Sequence, residues 1–413
     1  MLKSIIKKEI LLNLLSYKFS IIIALSTILI LVSIFVMYRD YCLALENYEY
    51  EILGSKSENP PAVIPPIPLS IFAKGLEENL CRSYESGRVG GIDVSSTQKS
   101  VNTLFKLFTT PDLLYVIKVI LSLCAMLFAF DIICGEKETA TLRQSLSNNL
   151  KRPTLILGKW IGGFSSFIVP FFIAVLLGTI FVTLSPMVDM NPGNLLKLGL
   201  FLLGSVIYLA VFFSLGLLLS CLTHRSSTSL VISLFVWAML VFLIPNLGNI
   251  LARQFVEIPT VQQLELQREQ IQIRTEVEVK RLQTWPEKNK AIERANSERE
   301  MLAEDYRNRF NRLVTVSRNI TRISPAAAFT FLATDIAGTG MLEERRLKSA
   351  FLQYLDTLRN WNEEGERPAF AYQRSSVQDA LGLGGLSNCL ILVLFNILFF
   401  SGAHVAFLRY DVR

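Results

Sequence analysis

Residues 130–159 read FDIICGEKETATLRQSLSNNLKRPTLILGK and lie between two long apolar runs. A short, polar, mildly basic stretch in that position is a loop joining two membrane helices. Working outward, six segments are apolar over the roughly 20 residues that a bilayer crossing takes. They are 19–38, 113–133, 160–184, 195–222, 229–251 and 381–408. In hydrocarbon every backbone polar group must be satisfied within its own element, so each is predicted to be a helix. Hydrophobic residues make up 51% of the 413 and charged residues only 18%. The expected fold class is an all-α polytopic membrane protein with six transmembrane helices.

The short flanks predict orientation, because Lys and Arg collect on the cytoplasmic side. Lys3, Lys7, Lys8 and Lys18 precede the first span. Lys137, Arg143, Lys151, Arg152 and Lys159 fall between the second and third, Arg225 between the fourth and fifth, and Arg409 and Arg413 after the sixth. The loop 185–194 has Asp189 and no Lys or Arg. Both termini and the loop 134–159 are therefore expected in the cytoplasm, and 409–413 is a cytoplasmic tail. The first span is too long for a signal-peptide core and no small-residue cleavage pattern follows it. The formal net charge of +6 is carried largely by these flanks and forms no compact basic patch with interleaved aromatics, which argues against nucleic acid as a partner.

Residues 1–18 alternate lysines with Ile5, Ile6, Ile10, Leu11 and Leu12, the pattern of an amphipathic interfacial helix; a plain extension of the first span is the other reading. Residues 39–112 form a first extracytoplasmic insert. Its prolines enforce extended backbone to about Leu69, after which SIFAKGLEENL reads as a short amphipathic helix resting on the membrane surface. Residues 252–380 form a second insert, so the extracytoplasmic domain is expected to be mainly helical. Two charged, glutamine-rich helices between Ile258 and Val316, broken at Trp285-Pro286, predict a long hairpin. The stripe Ile292, Ala295, Leu302, Tyr306, Phe310 and Leu313 would be its seam, with Glu276–Lys280 and Asp305–Arg309 as ion pairs. This hairpin is a candidate surface for an extracytoplasmic partner, or simply a solvated pair of charged faces. ISPAAAFTFLATDIAGTG, which follows, reads as a segment lying against the membrane or the first insert. Lys118 and Lys197 sit where their long stems reach the headgroups. Cys42 and Cys81 both fall outside, either bridged or as free thiols.

Catalytic chemistry is missing. No GxxxxGK[ST], HExxH or GxSxG occurs, and six cysteines with two histidines show no metal-ligand spacing. Asn388, Asn396 and His404 in the last span suit hydrogen bonds between helices better than an intramembrane active site. Gly158 and Gly162 form a GxxxG that permits close helix approach. Within the opening stretch, Gly135 is expected to break the second span, and Glu136 and Glu138 to occupy the first turn of a new helix with Lys137 between them. Thr141, Leu142, Arg143 and Leu146 continue it, with Leu142 and Leu146 one turn apart as apolar knobs. These knobs insert into a groove on a partner or lie on the headgroups.

At these residues the chain resembles the ABC-2-type transporter permeases, the transmembrane subunits of ATP-driven exporters. Their second and third spans are joined by a coupling helix of pattern D-x-I-x-G-E-K-E-x-G-T-L-R. Asp131, Ile133, Gly135, Glu136, Lys137, Glu138, Thr141, Leu142, Arg143 and the later Leu157-Gly158-Lys159 match it, and Ala140 stands where many members have glycine. PLSIFAKGLEENL, ISPAAAF with DIAGTG, and the closing FLRYDVR resemble the subgroup with a large insert between the fifth and sixth spans. The resemblance implies a multi-pass subunit in a bacterial cytoplasmic (inner) membrane, paired with a second copy or a paralogue and contacting membrane lipid. It would bind no cofactor directly; ATP and Mg would sit on separate nucleotide-binding ATPase subunits that push on Gly135–Leu146. Few charges line the spans, which suits a lipid-like or amphipathic peptide cargo. A membrane-anchored interaction or sensing protein without transport is the alternative function.

Overall fold

The computed structural model describes residues 2–54, 63–80, 83–86, 92–95, 111–147, 151–361, 368 and 370–409. Six helices are long and apolar enough to cross a membrane: Phe19–Ile52, Leu113–Glu138, Arg152–Thr183, Pro192–Leu222, Ser226–Phe255 and Leu386–Leu408. The protein is an all-α polytopic membrane protein. The one departure among the described residues is a two-stranded antiparallel ladder, Ser83–Ser86 against Ile92–Ser95, which composition did not signal. Helices overrun the apolar windows because backbone hydrogen bonding continues past the point where side chains turn polar. The first helix runs from Tyr17 to Gly54 and the third begins at Arg152, directly before Pro153, a favoured position at a helix start. The sixth begins later than expected, after a wide π-turn at Leu381–Gly385 in which Gly384 takes φ +142°.

Two compact units make up the chain: Met1–Val241 with Pro325–Arg413, and Phe242–Ser324. In the first unit the fourth span is central, with Phe201, Tyr208, Phe212 and Phe213 fully buried. Tyr208 stacks on Phe329 at 4.3 Å and 10°, and its hydroxyl donates to the Lys118 carbonyl at 2.7 Å. Trp160 Nε1 donates to Ser214 Oγ at 2.9 Å, and Ser214 donates to Asn396 Oδ1 at 2.6 Å, so a polar relay ties spans three, four and six. Asn396 is thus a structural group. Asn388, fully buried, has neither amide atom hydrogen-bonded. Exposed Val169, Phe172, Ile173, Leu176 and Ile180 on the third span, and Leu390, Leu394 and Ile397 on the sixth, give these helices apolar outer faces.

The second insert is not one domain. Its later half folds into the first unit: helix Pro325–Ala337 buries Ala326, Ala328, Phe329, Leu332 and Ala333 against the core. SIFAKGLEENL is not a surface helix either. It forms one 3-10 turn, Pro68–Ile71, and one helical turn, Glu77–Leu80, with Leu69, Ile71 and Phe72 completely buried. Gly75 separates them at φ +50°, where an added Cβ would lie 2.6 Å from the Thr339 carbonyl oxygen. Glu77 and Arg374 lock this region through two bonds of 2.8 Å, and Arg374 also donates to Pro65 O and Gly338 O. Lys197 does not snorkel: it is buried and donates to Ser375 O at 2.8 Å, because the returning chain covers it. Lys118 Nζ lies 5.7 Å from the Tyr115 ring centre. Cys42 is a free thiol, and Cys81 lies outside the described residues.

The second unit holds the hairpin. Helix Val261–Arg281 starts on a capping box of Thr260 and Gln263, and helix Trp285–Thr321 starts with Pro286 in its first turn. Ala291 and Ala295 are the buried seam residues, while Ile292 and Phe310 stay exposed. Asp305 pairs with Arg309 at 2.8 Å, but Glu276 accepts from Gln272 and Arg274 pairs across the hairpin with Glu298.

Candidate functional site: the loop between spans two and three

The second span is interrupted by a turn at Phe130–Ile133, before Gly135, so Gly135 is not the break. A five-residue helix, Cys134–Glu138, follows, and a second, Thr141–Ser147, after it. The single helix expected over 136–147 is instead two, because Ala140 takes φ +58° between them. A left-handed residue terminates a helix, and it is the conformation glycine adopts freely.

The start of the first helix is held from outside the loop. Ser220, on the fourth span, accepts from the amides of Ile133 (2.9 Å) and Cys134 (3.0 Å), two donors that a helix start leaves without intrahelical partners. Then three consecutive side chains fan out to three spans. Glu136 pairs with Lys159 of the third span at 2.9 Å. Lys137 donates to Cys221 O and, at 2.9 Å, to Thr223 O, the last carbonyls of the fourth span. A cation there also complements the negative end of the helix dipole. Glu138 accepts from the amide (3.1 Å) and hydroxyl (2.9 Å) of Ser226, the first residue of the fifth span. A carboxylate at a helix start is the matching arrangement.

Leu142 is 1% exposed. It packs among Ile133, Leu155, Ile156, Leu217, Cys221, Ala403 and Phe407, which joins the loop to spans three, four and six. It is not a knob aimed at a partner; the amphipathic pattern is real, but its apolar face turns inward. The side chain of Leu146 lies outside the described residues. Arg152 Nη1 donates to Leu408 O and closes the end of the sixth span. The outward surface is Glu138, Thr139, Ala140, Thr141, Arg143 and Gln144, all exposed.

The N-terminal helix Leu2–Leu14 completes the assembly. It lies across the glycines of the third span: an added Cβ at Gly158 would meet Ile5 Cγ2 at 2.7 Å, and one at Gly162 would meet Glu9 Cβ at 2.7 Å. The GxxxG is therefore the seat of this helix. Its Glu9 reaches Lys159 at 2.7 Å, so Lys159, 6% exposed, sits between two carboxylates. Lys159 also donates to Ile132 O at 3.3 Å.

Residues 4–412 match the profile of the family described as ABC-2 family transporter protein. The chain belongs to that family. No curated protein matches the chain at a significant level. As an ABC-2 permease-type chain it is a membrane subunit without ATPase motifs of its own, and the family associates with ATP-binding subunits in general. Sequence reasoning placed Gly135, Glu136, Lys137, Glu138, Thr141, Leu142 and Arg143 in one loop, and they are in one loop. It missed Glu9, Ser220 and Ser226, which hold that loop. Ser220 and Ser226 carried no signal among the many serines of apolar helices. Glu9 did, as the single acid in a lysine-rich amphipathic helix.

Proposed function

We propose that the chain is the transmembrane permease subunit of an ATP-driven exporter in a bacterial cytoplasmic membrane, with both termini and residues 134–159 on the cytoplasmic side. Separate nucleotide-binding subunits, carrying ATP and Mg, dock on the outward polar surface around Thr141 and Arg143. The observation that carries this reading is the fan of Glu136, Lys137 and Glu138 onto spans three, four and five. A push on a loop so tied is distributed to several spans at once, as a coupling element requires. Gly135 and Leu142 belong to its frame rather than to its docking face.

Two permease copies, or this chain and a paralogue, form the membrane core, in contact with membrane lipid. The cargo is lipid-like or an amphipathic peptide, because the buried lysines of the described spans, Lys159 and Lys197, are engaged by Glu9, Glu136 and the Ser375 carbonyl rather than lining a path. The hairpin between Ile258 and Val316 offers exposed apolar side chains, among them Val261, Leu266, Ile273 and Met301, to an extracytoplasmic partner.

Co-purification of the ATPase subunits with full-length permease tests the docking face. Arg143→Glu combined with Thr141→Trp is expected to abolish co-purification while leaving the permease folded. Undiminished binding by that folded variant refutes the assignment. For cargo, the assembled complex is assayed for ATPase stimulation across lipids and amphipathic peptides; a flat response to all of them removes that substrate class.

A further inference from the structure

The helix Leu2–Leu14 does not offer the membrane the apolar stripe that its pattern suggests. That stripe is taken up inside the protein: Leu2 and Ile5 reach Gly158 of the third span, and the Ile6 carbonyl and Glu9 lie over Gly162. What remains outward is divided along the helix axis rather than around it. Lys3, Ser4, Lys7 and Lys8 are exposed in the first two turns, and Leu11, Leu12 and Leu14 in the last two. Leu15 and Tyr17, which lead into the first span, are 76% and 89% exposed. Lys3, Lys7 and Lys8 make no hydrogen bond or ion pair among the described residues. The one acid of this helix, Glu9, faces the other way and is engaged by Lys159.

We propose that this outward face holds the helix obliquely on an anionic lipid surface, with Lys3, Lys7 and Lys8 among the phosphates and Leu11, Leu12 and Leu15 dipping toward the acyl chains. The order along the chain fits that tilt. The leucine end is the one joined to the first span, and so lies nearest the hydrocarbon, while the lysines occupy the turns farther from it. Tyr17 between them has the kind of ring that settles at headgroup level. Attachment of such a helix draws on apolar burial and on attraction to anionic headgroups together. An acidic protein or free phosphate would match the lysines and leave the leucines uncovered, and these continue into exposed Ile21 and Leu25 of the membrane-spanning helix. A lipid surface matches both. Because Glu9 and Glu136 share Lys159, a helix held on lipid also steadies the loop between spans two and three. This lipid contact goes beyond the coupling function and would survive its refutation, since no ATPase enters the assay.

The test is hydrogen exchange of the full-length protein in nanodiscs of phosphatidylcholine alone, or of phosphatidylcholine and phosphatidylglycerol in equal parts with identical acyl chains. Both leaflets of a nanodisc are alike, so the outcome does not depend on which side the helix faces. Amides of residues 2–14 are expected to exchange roughly tenfold more slowly in the anionic discs, while those around Tyr208 exchange alike in both. The triple variant Lys3→Gln, Lys7→Gln, Lys8→Gln should erase the difference and leave exchange in phosphatidylcholine unchanged. For the unaltered protein, salt at about 1 M, where the Debye length is about 3 Å, should erase it too, and gives a second reading if the variant misfolds. Millimolar inorganic phosphate added to phosphatidylcholine discs should give no protection. Equal exchange in the two lipids, protection that survives the folded triple variant or high salt, or protection by inorganic phosphate alone overturns the proposal.

Discussion

The Glu138 carboxylate closes the start of the fifth span by accepting both the amide and the hydroxyl of Ser226, 88 residues away in the chain. An acid of the loop between spans two and three is thus the missing cap of a membrane helix that supplies no side-chain cap of its own. Glu138→Ala should leave the Ser226 amide without its acceptor. Hydrogen exchange at that amide is expected to accelerate several-fold while the core of span four, around Tyr208, is unchanged. Unaltered exchange at Ser226 would show that the cap is idle.

Lys159 has a different dependence, because it separates two carboxylates that are 13% and 22% exposed. Lys159→Met removes the charge and leaves Glu9 and Glu136 facing one another. Breaking a buried pair from one side costs about 3 kcal/mol, much of it from the uncompensated charge left behind. The thermal midpoint should fall, and the N-terminal helix should become sensitive to protease. Adding Glu9→Gln and Glu136→Gln to Lys159→Met should restore most of the midpoint. A triple variant no more stable than the single one means that the loss is packing rather than charge.

Much of this was legible from residue order and some of it was not. Hydropathy located the six spans because burial in lipid leaves long apolar runs, but it did not show that the third helix begins at Arg152 or the fifth at Ser226. The loop's residues were identified, yet their direction was reversed for Leu142. Spacing shows that a helix has an apolar face but not which neighbour that face meets. Gly158 and Gly162 announced a close approach without naming Leu2–Leu14 as the partner. Lys197 and SIFAKGLEENL were read as interfacial because each segment alone is amphipathic. Burial came from Ser375 and Pro325–Ala337, distant in sequence and invisible to any local window.

Ala140 carries a local strain that can be relieved. Its φ of +58° places its Cβ against the following carbonyl, which costs an L-residue roughly 1 kcal/mol relative to glycine. Ala140→Gly should raise the thermal midpoint slightly, and Ala140→Val should lower it by more, because a β-branched side chain resists that conformation further. Both changes leave the polar side chains at 138, 141 and 143 intact. If Ala140→Gly lowers stability, the extra freedom gained by the unfolded chain outweighs the relieved strain and the argument fails.

Alkaline pH provides a test at the other end of the first unit. Tyr372 donates its hydroxyl to Glu343 Oε1 at 2.9 Å, and the same oxygen accepts from the Ser375 amide at 3.1 Å. Burial first, and the adjoining Glu343 carboxylate second, push the phenol well above its ordinary value. An ordinary tyrosine ionises near pH 10. In the unfolded chain Tyr372 loses its proton there, while in the folded chain it keeps it. The stability tied to this proton is therefore complete below about pH 10 and falls as pH rises toward the folded value. Tyr372→Phe removes the titration together with one hydrogen bond to a charged acceptor, at a cost of about 2 kcal/mol near neutrality. Thermal midpoints measured from pH 8 to pH 11 should decline less steeply above pH 10 for Tyr372→Phe than for the unaltered protein, so the two curves converge. Parallel curves would mean that Tyr372 ionises as readily in the folded protein as in the unfolded chain.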